Sequence, residues 1–159
     1  MKIRPIILSI AGSDSGGGAG IQADLKTVSV IGGYACTAIT AVTAQNTLGV
    51  RAVYPMSAEA LRQQLAAVGE DLAVAAVKIG MLPTVEQVEV VAEAIGRYGW
   101  RNVVLDPVMV ATSGDVLVED SAAGRMAERL FGLCTLLTPN MAEAAALTGR
   151  AVSDEAGMQ

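Results

Sequence analysis

The sequence contains no histidine at all. That absence removes His-based nucleophilic triads and every zinc site that needs an imidazole. Cysteine is scarce too: Cys36 and Cys134 stand far apart, each in an apolar run. They are expected as buried, reduced thiols in strands rather than as a disulfide or a metal pair. Aromatics amount to one Trp, three Tyr and one Phe, although 52% of the residues are apolar. The core must then be built from Ala, Val, Leu and Ile, which suits helices packed closely on a buried sheet. The 11 basic residues form no cluster and are outnumbered by 16 acidic ones, for a net charge of −5. No nucleic-acid partner is expected from such a chain. No stretch approaches the ~20 apolar residues that span a bilayer. The run Ile6-Ile7-Leu8-Ser9-Ile10-Ala11 follows Lys2 and Arg4 but leads straight into glycines. It is shorter than the ~7–15 residues of a signal-peptide core, so it reads as the first strand of a cytoplasmic protein with no membrane partner.

What is present has the rhythm of an α/β protein, and 159 residues suit one domain over 1–159. Pro5 to Ala11 reads as a buried strand, followed by a loop over Gly12–Gly20 and a helix from Ile21 to Ile31 that Gly32-Gly33 stops. Strands follow at Cys36–Ala44 and Val50–Tyr54. Ser57 is placed to cap a helix that puts Leu61, Leu65, Val68 and Leu72 on one face. After a strand at Ala75–Ile79, Thr84 and Gln87 spell a capping box for a helix presenting Val85, Val88, Val91 and Ile95. A strand at Asn102–Leu105, a helix over Ser121–Leu130, a strand at Thr135–Thr138 and a helix opened by Asn140 and Glu143 complete the series. Continuous apolar strands alternating with helices predict a largely parallel sheet covered on both faces. Ser153-Asp154-Glu155-Ala156 reads as the start of a helix with only three residues after it, so the chain is expected to be a piece of a longer one.

In open parallel sheets, ligands bind beyond the carboxyl ends of the strands. The unusual loops all fall there: Gly12–Gly20, Gln45–Gly49, Gly80–Pro83, Asp106–Gly114 and Pro139–Asn140. The first fits neither familiar phosphate loop, because Gly20 is followed by Ile-Gln rather than Lys-Ser/Thr. Gly16, Gly18 and Gly20 also recur at intervals of two. Its glycines would still let backbone N–H groups approach a ligand beside a helix N-terminus. Gln45 offers a donor and an acceptor to a heterocycle edge. Met81 could cover a ring or simply fill core, and Asp24 sits one turn into the first helix, near the same rim. Asp106-Pro107 is by default a strand terminator, and Asn140 with Glu143 a capping pair. Only their convergence at strand ends raises each above its default.

Five stretches carry a resemblance: AGSDSGGGAGIQADLK (Ala11–Lys26), TAITAVTAQNT (Thr37–Thr47), VKIGML (Val77–Leu82), LDPVMVATSG (Leu105–Gly114) and LLTPNMAEAAALTG (Leu136–Gly149). In order and spacing they resemble the hydroxymethylpyrimidine/phosphomethylpyrimidine kinases of the ribokinase-like superfamily. The last two are shared more widely with pyridoxal kinases. The resemblance implies a three-layer α/β/α fold with a mostly parallel central sheet and its C-terminal part missing. It implies transfer of the ATP γ-phosphoryl group to 4-amino-5-hydroxymethyl-2-methylpyrimidine and then to the monophosphate, with magnesium, in a homodimer. Gly12, Asp24, Gln45, Met81 and Val108 would line the pyrimidine pocket, Gln45 pairing with the ring edge. Asp106, Asn140 and Glu143 would stand near the triphosphate, Asp106 and Glu143 at the magnesium. The family's Gly-Thr-Gly-Cys loop does not occur in these residues. Loss of such an anion hole costs at least ~10²-fold in rate by analogy with a single oxyanion donor. The isolated chain is therefore expected to keep pocket wall but little activity. A pyridoxal kinase and a non-catalytic pyrimidine-binding module are the competing readings.

Overall fold

The computed structural model describes residues 4–109, 118 and 120–150. The loop expected over Asp106–Gly114 is therefore described only to residue 109. The helix start expected at Ser153–Ala156 lies outside the described residues.

The elements run β1 (Ile6–Asp14), α1 (Gly20–Val30), β2 (Tyr34–Asn46), β3 (Gly49–Pro55), α2 (Ala58–Gly69), β4 (Val74–Ile79) and α3 (Val85–Tyr98). After these come β5 (Val103–Leu105), α4 (Asp120–Arg129), a 3-10 turn (Phe131–Leu133), β6 (Leu136–Leu137) and α5 (Met141–Thr148). They form one six-stranded sheet in the order β3-β2-β1-β4-β5-β6. Every pairing is parallel except the β2–β3 hairpin. Right-handed crossovers then put α1 on one face, because β1→β2 steps one way along the sheet. They put α3 and α4 on the other, because β4→β5→β6 steps the opposite way.

The core lies on the α2–α4 side. Leu61 and Leu65 of α2, Val88, Val91 and Ile95 of α3, and Met126 of α4 pack with Leu8, Ile10, Val77, Ile79 and Leu105 from the strands. Ile21 is the one buried residue of α1. Among the described residues, α2, α3 and α4 cover one face of the sheet and α1 the other. Val42 and Tyr54, register partners across β2–β3, stay 46% and 62% exposed. The expected cover on both faces is present, with this stretch of β2–β3 left open.

Three corrections are local. β1 does not stop at Ala11: its register against β2 shifts between Ala11 and Ser13, and pairing resumes at Ser13–Val42 and Asp14–Thr43. A bulge in β2, where Thr40 and Ala41 together face Gly12, lets pairing continue, so β1 runs on to Asp14 and the glycine loop is shorter. Thr84 caps α3 by accepting from Gln87 N, but Gln87 does not reciprocate. Its side chain turns inward and donates to Thr40 O and Met56 O at 2.8 and 2.7 Å. Cys36 lies in β2, but Cys134 follows the 3-10 turn, and both free thiols are half-buried rather than buried. Burial pushes the Cys134 thiol up to about 11, so it is an inert packing group.

Ser57 and the Asn140–Glu143 box cap α2 and α5 as their spacing predicts. No helix among the described residues is long and apolar enough to cross a membrane.

Candidate functional site

Strand order reverses about β1: the chain goes from β1 to β2 on one side and later builds β4, β5 and β6 on the other. This is the switch point at which such sheets leave a crevice beyond their carboxyl ends. A cavity of about 400 Å³ occupies it, lined from β1 by Gly12, Ser13 and Asp14, from α1 by Asp24, and from β2 by Thr43 and Gln45. Lys78, Gly80 and Met81 line it from β4, and Asp106 and Val108 from β5. Gly12, Asp24, Gln45, Met81, Asp106 and Val108, separated by up to 96 residues in sequence, thereby meet around one space. Asn140 and Glu143 are not among its lining residues. They sit at the β6–α5 junction, where Asn140 Oδ1 accepts from Glu143 N and Glu143 Oε2 accepts from Asn140 N, each at 2.9 Å.

The first wall is the glycine loop, and Asp14 organises it. Its carboxylate accepts N–H bonds from Gly16, Gly18 and Ala19 at 2.7, 2.8 and 2.8 Å. Asp14 is only 5% exposed. Burial pushes its carboxyl up, but the backbone donors outweigh burial and hold it below the ordinary carboxylate value. The loop amides expected to face a ligand are thus already taken by the chain's own carboxylate. Asp14 N donates to Gln22 Oε1, whose amide nitrogen donates to Ser13 Oγ, both at 2.8 Å. Lys26 Nζ closes the outside of the loop on Gly17 O at 2.6 Å.

Close backbone approach explains two glycines. At Gly20 (φ +54°) an added Cβ would stand 2.2 Å from Gly12 O, so α1 can start against β1 at Gly12 only without a side chain. At Gly12 an added Cβ would meet Met81 Cε at 2.6 Å. Gly12 thereby lets the methionine tip reach the cavity, while Thr40 Oγ1 fixes its backbone by donating to Met81 O at 2.7 Å.

The floor is electrostatic. Ser9 Oγ donates to Asp24 Oδ2 at 2.5 Å, and Lys78 Nζ lies 3.5 Å from the same oxygen and 4.0 Å from Asp106 Oδ2. Burial pushes the Asp106 carboxyl up, Lys78 pulls it down and Asp24 pushes it up again; the net position is above the usual value. Lys78 is the one cation lining the cavity among the described residues, against the carboxylates of Asp14, Asp24 and Asp106. Opposite, Gln45 Oε1 lies 3.2 Å from Thr43 Oγ1, which also donates to Ser13 O at 2.9 Å. Ser15 Oγ ties the loop to this strand end by donating to Gln45 O at 2.6 Å and accepting from Gln45 N at 2.9 Å.

Sequence reasoning passed over Asp14, Lys78 and Ser9. Two of them left a signal: Lys78 is the lone charge in β4, and Ser9 interrupts an apolar strand. Asp14 left a fainter one, an Asp two residues ahead of three glycines, where a short carboxylate can bend back onto following amides.

Comparison with known proteins agrees with this architecture. The family model described as phosphomethylpyrimidine kinase matches residues 14–159. A hydroxymethylpyrimidine/phosphomethylpyrimidine kinase of Rhizobium meliloti (strain 1021) is 57% identical over 154 residues, covering 96% of this chain and 58% of that protein. The crystal structure of a phosphomethylpyrimidine kinase from Clostridium difficile 630 superposes with a TM-score of 0.90 at 43% identity, over 98% of this chain and 67% of that one. An ADP complex of Bacillus subtilis pyridoxal kinase superposes with a TM-score of 0.86 at 38% identity, over 98% of this chain and 58% of that one. The chain spans little more than half the length of the curated relatives it matches first. Strand order, switch-point cavity and a match over nearly the whole sequence lead to one assignment: the chain belongs to the phosphomethylpyrimidine kinase family.

Proposed function

We propose that this chain supplies the pyrimidine-binding part of an ATP-dependent kinase. Its substrates are 4-amino-5-hydroxymethyl-2-methylpyrimidine and then the resulting monophosphate, in thiamine biosynthesis. The observation that carries the reading is the switch-point cavity, where Met81 and Val108 offer apolar contact, Gln45 an amide edge and Asp24 an acceptor. A flat ring with an exocyclic amine matches that mixture of one donor–acceptor edge and apolar cover. In the first transfer the substrate hydroxymethyl oxygen forms a bond to the γ-phosphorus and gives up its proton to solvent, as the bond to the β–γ bridging oxygen breaks and ADP departs. Such a transfer depends mainly on positioning and charge stabilisation, so holding the hydroxymethyl arm is this chain's main contribution.

Magnesium is the metal the family implies, and a phosphate-bound magnesium takes only one or two protein carboxylates. Asp106 fits that need, being 37% exposed at the cavity rim. Glu143 follows the neighbouring strand β6, but one of its oxygens is committed to the α5 cap. Asp106, with Glu143 and Asn140 beside β6, would hold the metal and triphosphate, and the ion would neutralise phosphate charge when bound. A homodimer and a cytoplasmic, ATP-containing setting belong to the same reading; the exposed Val42–Tyr54 pair supports self-association.

The second reading, a pyridoxal kinase, is favoured by the likeness to the Bacillus subtilis enzyme. Phosphorylation by the full-length gene product separates them. Higher kcat/KM for the hydroxymethylpyrimidine than for pyridoxal supports our reading, and the reverse order rejects it.

A further inference from the structure

We propose that Asp14 is the positioning residue of the pyrimidine pocket: its carboxylate is a built-in anion around which the glycine loop folds, and through that loop it sets Gln45. The pocket's ligand is taken from the functional reading above; the loop mechanism stands on the geometry alone.

Successive backbone N–H groups that converge on one point form a receptor for an anion. Here Gly16, Gly18 and Ala19 converge on Asp14, and Gly17 N also donates to Asp14 O at 3.0 Å. The chain has filled its own anion nest. Those amides are consequently not open to a phosphate, although a glycine-rich strand-to-helix loop suggests one. Ala19, the N-cap of α1, has no side-chain cap of its own, so Asp14 also satisfies donors that the helix start leaves over.

The consequence reaches the opposite wall. Ser15 stands between Asp14 and the amides it gathers, and its hydroxyl makes both a donated and an accepted bond to the Gln45 backbone. Behind it the fit is tight, since a Cβ on Gly16 would lie 3.3 Å from Asn46 Cα. Removing the carboxylate would leave three N–H donors of an exposed loop without their shared acceptor, release the loop and free Gln45 to turn. Asp14 lines the cavity, but both of its carboxylate oxygens are engaged by the loop amides, so it acts through Ser15.

The test is chemical rescue in the full-length gene product. Asp14→Ala leaves a carboxylate-sized hole lined by N–H groups, which formate fits. Amide hydrogen exchange at Gly16, Gly18 and Ala19 is measured together with the dissociation constant for 4-amino-5-hydroxymethyl-2-methylpyrimidine. Formate is then added, with chloride at equal ionic strength as control. The expected result is lost protection at the three amides and affinity weakened about tenfold, the size of one lost interaction of ~1.4 kcal/mol. Formate restores both and chloride neither. Retained protection in D14A overturns the proposal, as does a loss that formate leaves unrepaired. If D14A does not fold, S15A cuts only the link to Gln45. It must weaken binding while leaving the three amides protected, and unchanged affinity overturns the proposal. If the unaltered protein ignores the pyrimidine, the functional reading fails, and the exchange measurements still decide the loop mechanism.

Discussion

Gly20 and Gly12 are close neighbours in space whose substitution should have opposite signatures. A Cβ at Gly20 meets the backbone oxygen of Gly12 at 2.2 Å and is held at φ +54°. Neither contact can relax without moving β1, so Gly20→Ala should cost at least ~2 kcal/mol of folding stability, read from denaturant midpoints. A Cβ at Gly12 meets only the flexible tip of Met81. Gly12→Ala should keep stability within ~1 kcal/mol yet push the methionine into the cavity and weaken pyrimidine binding. Asp106 gives a pH-dependent counterpart. Its folded value is raised, so the fold binds its proton more tightly than the unfolded chain does. That contribution is present below the unfolded value and is lost as pH rises through the folded one. Asp106→Asn should therefore be as stable as the native chain at acid pH and more stable at neutral pH, while lowering phosphoryl transfer. Urea melts at the two pH values check this, and a variant less stable at neutral pH contradicts it. The residues legible in the sequence were those whose type announces a job, such as Gln45 and Asp24. Asp14 was less legible because its partners are amides, which no side-chain pattern records.

At the scale of elements, the caps and strands were readable because their causes are local. Ser57, Thr84 and Asn140 each accept from the backbone N–H three residues on, as their spacing implies. What failed was tertiary. The β2 bulge opposite Gly12 arises from pairing between β1 and β2, and the buried orientation of Gln87 arises from β2 and the chain after β3. Gln87 is fully buried and joins α3 to both. Gln87→Leu preserves helix propensity and leaves Met56 O without this donor, so it should destabilise by about 1–3 kcal/mol. Differential scanning calorimetry or a urea titration tests this; a neutral outcome would show that the amide is a replaceable filler.

For the whole molecule, strand alternation was enough to foresee a mostly parallel sheet, since apolar runs separated by helices leave few alternatives. The antiparallel β3 and the exposure of Val42 and Tyr54 on β2–β3 were not legible, because helix placement on each face depends on strand order rather than on periodicity. The same order creates the switch point, and the cavity there is why residues as distant as Gly12 and Val108 can act together. The central claim is that this cavity, and no other surface, receives the aminopyrimidine. Methyl-labelled methionine reports on it directly: of seven methionines, Met81 lines the cavity, whereas Met126 is a fully buried residue of α4. On titration of the full-length gene product with 4-amino-5-hydroxymethyl-2-methylpyrimidine, the Met81 methyl resonance should shift saturably while that of Met126, on the core-facing side of α4, holds still. A saturable response that leaves Met81 unmoved would contradict the account.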